Sequence, residues 1–193
     1  MFKKIMLVSV LATTVASTHV MAEDNTAGGV INFTGAITDT TCTINGGKSA
    51  DMTVALSPIT VTDAGTTVGL ITKNKKTIEM TFSGCAPAAS TAGTPLKIHF
   101  SSANNISTDG KYLLNNSVNE SDSSVARNVG FALTKTDGTL IPLNQPFDTN
   151  LMGNKVAPDS ETLNLDVYYY KTNTTPATVG SLSSNVTYTV SYL

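Results

Sequence analysis

The sequence predicts an all-β fold, an antiparallel sandwich, and three observations predict it. Short alternating apolar segments recur along the chain, separated by Gly, Asn, Asp, Pro and Ser. Beyond residue 22 almost nothing repeats with the 3.6-residue period of a helix. Within the segments one alternate set is apolar and the other polar, as in a sheet with one buried and one wetted face.

Taken in order, the chain opens on a leader. Lys3 and Lys4 form a positive start, "IMLVSVLATTVA" has the length of a signal-peptide core, and Val20, Met21 and Ala22 fit a small-residue cleavage site. Thr13, Thr14, Ser17, Thr18 and His19 interrupt the run before it could span a bilayer. Residues 1–22 are therefore expected to be a signal peptide, with an exported mature chain beginning at Glu23. Strands are expected at 30–44, 52–59, 76–85, 96–102, 128–134, 163–171 and 185–193. In "TIEMTF" Ile78, Met80 and Phe82 face one way and Thr77, Glu79 and Thr81 the other. In "LNLDVYYY" the inward set is Leu163, Leu165, Val167 and Tyr169. Residues 102–128 are polar and turn-rich and read as exposed loop around a short strand at 111–114. With no repeat and no long linker, 193 residues hold a leader and one mature domain.

Charge and chemistry narrow the function. Without Lys3 and Lys4 the mature chain has 10 Lys+Arg against 14 Asp+Glu, a balance of −4, and Arg127 is the only arginine. Nucleic acid calls for clustered positive charge, so no nucleic-acid partner is expected. His99 is the only histidine after the leader, and in "LKIHF" it reads as an exposed or satisfied strand residue rather than a catalytic base. Nucleophile–histidine signatures, phosphate-cradling glycine loops and H-E-x-x-H are absent, and the lack of Trp weakens a sugar-stacking reading. No enzymatic activity, cofactor or metal is expected. Cys42 and Cys85 are the only cysteines, and an even count in an exported chain reads as a disulfide contributing about 4 kcal/mol. A metal pair would need further Cys or His ligands.

The two ends of the mature chain carry the most information. In "GGVINFTGAI", Ile31, Phe33, Gly35 and Ile37 share one face and Val30, Asn32, Thr34 and Ala36 the other. Glycine inside an apolar strand face often marks close approach by another segment. At the far end "TYTVSYL" places Tyr188, Val190 and Tyr192 on one face. A sandwich ending there is expected to be one strand short, with an edge that needs covering.

These features, in this order, resemble the fimbrial subunits of the chaperone–usher pathway, and the type 1 major pilins in particular. The carriers are the leader, "GGVINFTGAI" against the family's Gly-Gly-x-Val-x-Phe-x-Gly-x-Val, Cys42 ending the first strand and Cys85 in "FSGCAP". Gly180, fourteenth from the C-terminus, and the penultimate Tyr192 complete them. The resemblance implies an incomplete immunoglobulin-like β-sandwich lacking its last strand, with an N-terminal donor-strand extension. The extension would be 23–37 and the pilin domain 38–193. A periplasmic chaperone would fill the groove during export, and at an outer-membrane usher the next subunit's extension would replace it, a mode of β-strand addition. Ile31, Phe33, Gly35 and Ile37 would face that groove. Cys42–Cys85 would join the first two strands; Tyr188, Val190 and Tyr192 would border the groove, with Gly180 just before them.

The implied function is a structural subunit, chiefly of the rod, polymerising head-to-tail with identical or related pilin subunits in a cell-surface fimbrium that supports adhesion. Two departures stand out: Tyr188 where phenylalanine is common, and the long polar stretch 102–128. The alternatives are a minor or adaptor subunit, and a secreted monomeric carbohydrate- or protein-binding sandwich that would survive deletion of 23–35.

Overall fold

Turn-forming Gly, Asn and Pro residues punctuate the chain into strands that pair in two antiparallel sheets. The computed structural model describes residues 41–47, 51–86, 95–116, 123–152 and 161–191. The first sheet contains β1 (Thr41–Ile44), β2 (Gly69–Ala86), β6 (Glu161–Lys171) and β4 (Val129–Lys135), in that spatial order. The second runs β5 (Pro146–Met152), β3 (Pro95–Ser101), β7 (Thr187–Ser191). A single-turn helix, α1 (Val61–Ala64), is the α-helix among the described residues. No described helix is long and apolar enough to cross a membrane.

The core lies between the sheets, where the period-two alternation directs its apolar sets. Met80 and Phe82 of β2, Leu133 of β4 and Leu165 of β6 meet Leu96, Ile98 and Phe100 of β3 and Phe147 of β5. The assignment of Ile78, Met80 and Phe82 to the inner face of β2 holds: Met80 and Phe82 are buried and Ile78 packs against the same cluster. The opposite side of β6 departs from expectation. Asp166, Tyr168 and Tyr170 are also buried, as is Lys171 at the end of the inward-facing set, so this strand has no wetted face along that stretch. Tyr112 stacks on Tyr170 with ring centroids 4.8 Å apart. Asp166 accepts from Lys75 Nζ at 2.6 Å and Thr77 Oγ1 at 2.5 Å. Lys171, 0% exposed, donates from Nζ to the carbonyls of Asn128 (3.1 Å), Asn173 (2.7 Å) and Thr175. Burial pushes its ammonium pKa down. Asn128 sits at a φ of 62°, a conformation Asn tolerates better than most residues.

Three further expectations are corrected. Strand β5 was not legible in "PFDTNLM" because polar Thr149 points inward, where its hydroxyl donates to the Leu96 carbonyl at 2.6 Å. Residues 102–116 and 123–128 are not merely exposed loop: Leu113 bridges to both Ile106 and Phe131 and joins the core, and Asn115, Val125 and Ala126 are buried. His99 is half-buried between Pro146 and Thr189, and its Nε2 has no hydrogen-bond partner, so it is neither fully exposed nor satisfied there.

The expected strand at 52–59 is extended but unladdered. Met52, Val54 and Leu56 are half-buried while Asp51, Thr53 and Ala55 are exposed, so the alternation is present without a neighbouring strand among the described residues. Side chains from β2 tether it instead. Between Ile71 and Lys76 the β2–β6 register breaks, and in that bulge Asn74 adopts a φ of 58°. Its Nδ2 donates to the carbonyls of Ser57 (3.2 Å) and Pro58 (2.8 Å). Lys73 pairs with Asp63 at 2.8 Å, and Lys76 Nζ reaches the Ala55 carbonyl at 3.4 Å. Thr60 and Asp63 close a capping box that starts α1.

Candidate functional site

Strand β7 has one partner, β3, with Ile98 opposite Val190 and Phe100 opposite Tyr188. Among the described residues no strand lies along its other edge. In that gap, between β7 and residues 51–56, lies an apolar cavity of about 450 Å³. Val186, Tyr188 and Val190 form one wall, and Met52, Val54 and Leu56 the other. The two walls alternate for one reason: every second side chain of an extended chain faces the same way. The floor is the core itself, with Ile78, Leu133 and Val167 from the first sheet and Phe100 from the second.

Aromatic packing stiffens the β7 side. The Phe100 ring stacks on Phe147 with centroids 6.2 Å apart and meets Tyr188 at 6.4 Å. Burial pushes the Tyr188 phenol pKa up, and the Asp51 carboxylate on the facing wall pushes it further. The Oγ of Ser184 is also buried in this lining and has no hydrogen-bond partner. Apolar walls, two extended edges and no titratable cluster suit the site to receiving a strand rather than to transforming a small molecule.

A second cavity, about 570 Å³, continues the first along the same sheet face. Its lining includes Ile59, Val61 and Ala64 where the first has Met52–Leu56 neighbours, and Val179 and Leu182 where the first has Val186 and Tyr188. Val129 and Tyr169 lie two residues along β4 and β6 from Phe131 and Val167 of the first floor. The Phe131 and Tyr169 rings stack at 5.5 Å between the two.

The structure places the sequence-derived residues unevenly. Tyr188 and Val190 line the first cavity. Gly180 lies in the lining of the second, seven residues before β7 begins. At a φ of 156° it lets the backbone approach 124–126 so closely that an added Cβ would stand 2.4 Å from Ala126 N and 2.4 Å from the Val125 carbonyl carbon. Cys42 falls in β1 and Cys85 in β2, where Thr41 pairs with Ala86 and Thr43 with Ser83. Ile31, Phe33, Gly35, Ile37 and Tyr192 lie outside the described residues, as does the leader. Sequence reading missed the facing wall as a wall. Its signal was present in "MTVAL", an alternating run with no obvious partner.

No curated protein matches the sequence significantly. Solved structures do. A subunit from the structure of a chaperone–usher pilus is similar at 15% identity, covering 87% of this chain and 97% of its own, with a TM-score of 0.55. A Burkholderia pseudomallei antigen and type I fimbria protein is similar at 18% identity, covering 85% and 97%, with a TM-score of 0.50. The P pilus rod subunit PapA covers 86% and 100% at 14% identity and a TM-score of 0.49. At these identities the first two likenesses speak for the fold alone. The family described as fimbrial protein matches residues 31–193, from the "INF" segment to the last residue. The chain belongs to that fimbrial protein family, and is a structural subunit of fimbriae rather than an enzyme.

Proposed function

We propose that the chain polymerises by donor-strand exchange, as the major rod subunit of a chaperone–usher fimbrium that supports adhesion. The observation that carries the reading is the apolar gap beside β7, floored by the core and walled by two extended edges. The N-terminal extension 23–37 of one copy lies along β7 of the next, with Ile31, Phe33 and Ile37 in the gap and Gly35 where it is shallow. Burying each of those three large side chains is worth about 1.5–3 kcal/mol. New backbone hydrogen bonds add about 0.5–1.5 kcal/mol each, against about 1–2 kcal/mol per residue for ordering the tail. Cys42 and Cys85 form the disulfide that fixes β1 to β2 behind the extension. During export through the periplasm a chaperone occupies the gap, and an outer-membrane usher exchanges it for the next copy.

The test is Gly35→Leu in cells that supply the export partners. The variant should be exported and bind the chaperone yet give no filaments by negative stain, and no SDS-resistant ladder that collapses on heating. Normal filaments from this variant would sink the donor-strand assignment. Quantifying the chain in sheared filaments tests the rod role: it should dominate by mass, whereas a trace amount would make it a minor subunit.

A further inference from the structure

We infer that the second cavity seats the body of the donor copy, beside the groove that takes its strand. The inference rests on the donor-strand reading, and chain length carries it. Every strand ladder described is antiparallel, so a strand completing the second sheet runs antiparallel to β7. Residues 31–37 then extend over the same number of positions as 190–184, leaving Ile37 near Ser184. That is where the second cavity begins, with Leu182 on one side and Pro58 on the other. The described part of the donor's own domain begins at Thr41, the first residue of its β1. Four residue steps of fully extended chain cover only about 14 Å. The start of the donor's β1, at Thr41, is therefore held within that reach of the cavity's rim.

That rim suits a protein surface. Val179 is 78% exposed and Val61 39%, two of the three large apolar residues that are so exposed among the described residues. Gly180 and the bonds from Ser181 N to Ser124 O (2.7 Å) and Ala126 N to Ser181 O (2.9 Å) clamp the segment carrying Val179 to the domain. Val179 is thus presented on a fixed support. Residues 38–40 are Thr, Asp and Thr, polar side chains that would not fill an apolar cavity themselves.

The test places the photo-cross-linker p-benzoyl-phenylalanine at Val179 in filaments made by cells producing the full chain. The same substitution at Val68, 48% exposed and outside both linings, is the control. After irradiation and boiling, a covalent dimer should appear at Val179 and not at Val68, with the cross-linked peptide inside 38–47 or 82–86 of the second copy. A heat-sensitive ladder before boiling with no covalent dimer afterwards overturns the inference while leaving donor-strand exchange intact. A cross-link to 23–30 overturns it too, by showing the strand inserted in the other direction. Absence of the ladder in the unmodified chain removes the donor-strand reading, and the inference with it.

Discussion

Gly180→Ala tests whether the wall of the second cavity depends on a backbone approach that excludes any side chain. The new methyl would stand 2.4 Å from Ala126 N, 2.4 Å from Val125 C and 2.6 Å from Ser124 O, all backbone atoms that no rotamer change can move aside. Restoring ordinary separation shifts the segment by about 1 Å, beyond what hydrogen-bond geometry tolerates. Three bonds are at risk: Ser181 N to Ser124 O, Ala126 N to Ser181 O, and Asn115 Nδ2 to Ser181 O at 3.0 Å. At about 0.5–1.5 kcal/mol each they total about 1.5–4.5 kcal/mol. Strain at a φ of 156° contributes of order 1–3 kcal/mol more. The expected loss is about 2.5–7.5 kcal/mol, read as a fall in the urea midpoint of about 1.2–3.8 M for a slope near 2 kcal/mol/M. Gly138→Ala provides the control, because Gly138 has a φ of 86° but open space around its Cβ position. It should cost only about 1–2 kcal/mol. Equal losses from the two variants would refute the close-approach argument.

Lys171→Met should destabilise by about 2–4 kcal/mol in the same assay, because the three carbonyls of Asn128, Asn173 and Thr175 lose a shared ionic donor while only part of that is offset by relief of ammonium burial; an unchanged midpoint would contradict the caging role. Val190→Asp should weaken chaperone capture and abolish the heat-sensitive ladder, since any strand inserted in the gap, the chaperone's or the next copy's, would meet an unpaired carboxylate buried at a cost of several kcal/mol; a normal ladder would show that β7 does not border the docking gap. Asp63, held at about 2 against an ordinary 3.8 by hydrogen bonds from Lys73 and then Thr60, supports α1 above pH 3.8, and that support is lost as pH falls through about 2. Hydrogen exchange at the Ala64 and Gly65 amides should accelerate beyond the intrinsic rate over that interval, and Asp63→Asn should remove the pH dependence.

Period-two patterning made most of the fold legible. The inner face of β2 and the alternating face of β7 follow from it, whereas the pairing of Cys42-bearing β1 with Cys85-bearing β2 was implied by the family resemblance. It failed where polar residues are buried. Thr149 and Asp166 are satisfied by partners 53 and 89 residues away, and no local pattern announces such a partner. Half of the groove was legible in "TYTVSYL". The facing wall was harder to recognise, because an extended segment without a ladder has the same alternation as an ordinary strand. Gly180 was conspicuous through the resemblance, but its physical reason, the approach to 124–126, required three dimensions.

The bulge in β2 bears on length polymorphism among related chains. A deletion or insertion in 72–75 leaves both flanking ladder segments, Gly69–Ile71 against Tyr169–Lys171 and Lys76–Phe82 against Glu161–Val167, able to keep their pairing. Such a change would therefore look innocuous to an alignment scored on strands. Yet Lys73 and Asn74 project from that bulge to hold α1 and residues 57–58, so a one-residue shift re-aims both tethers together. A change of length at this position would therefore displace the Pro58, Val61 and Ala64 side of the second cavity while leaving the ladders of the sandwich paired.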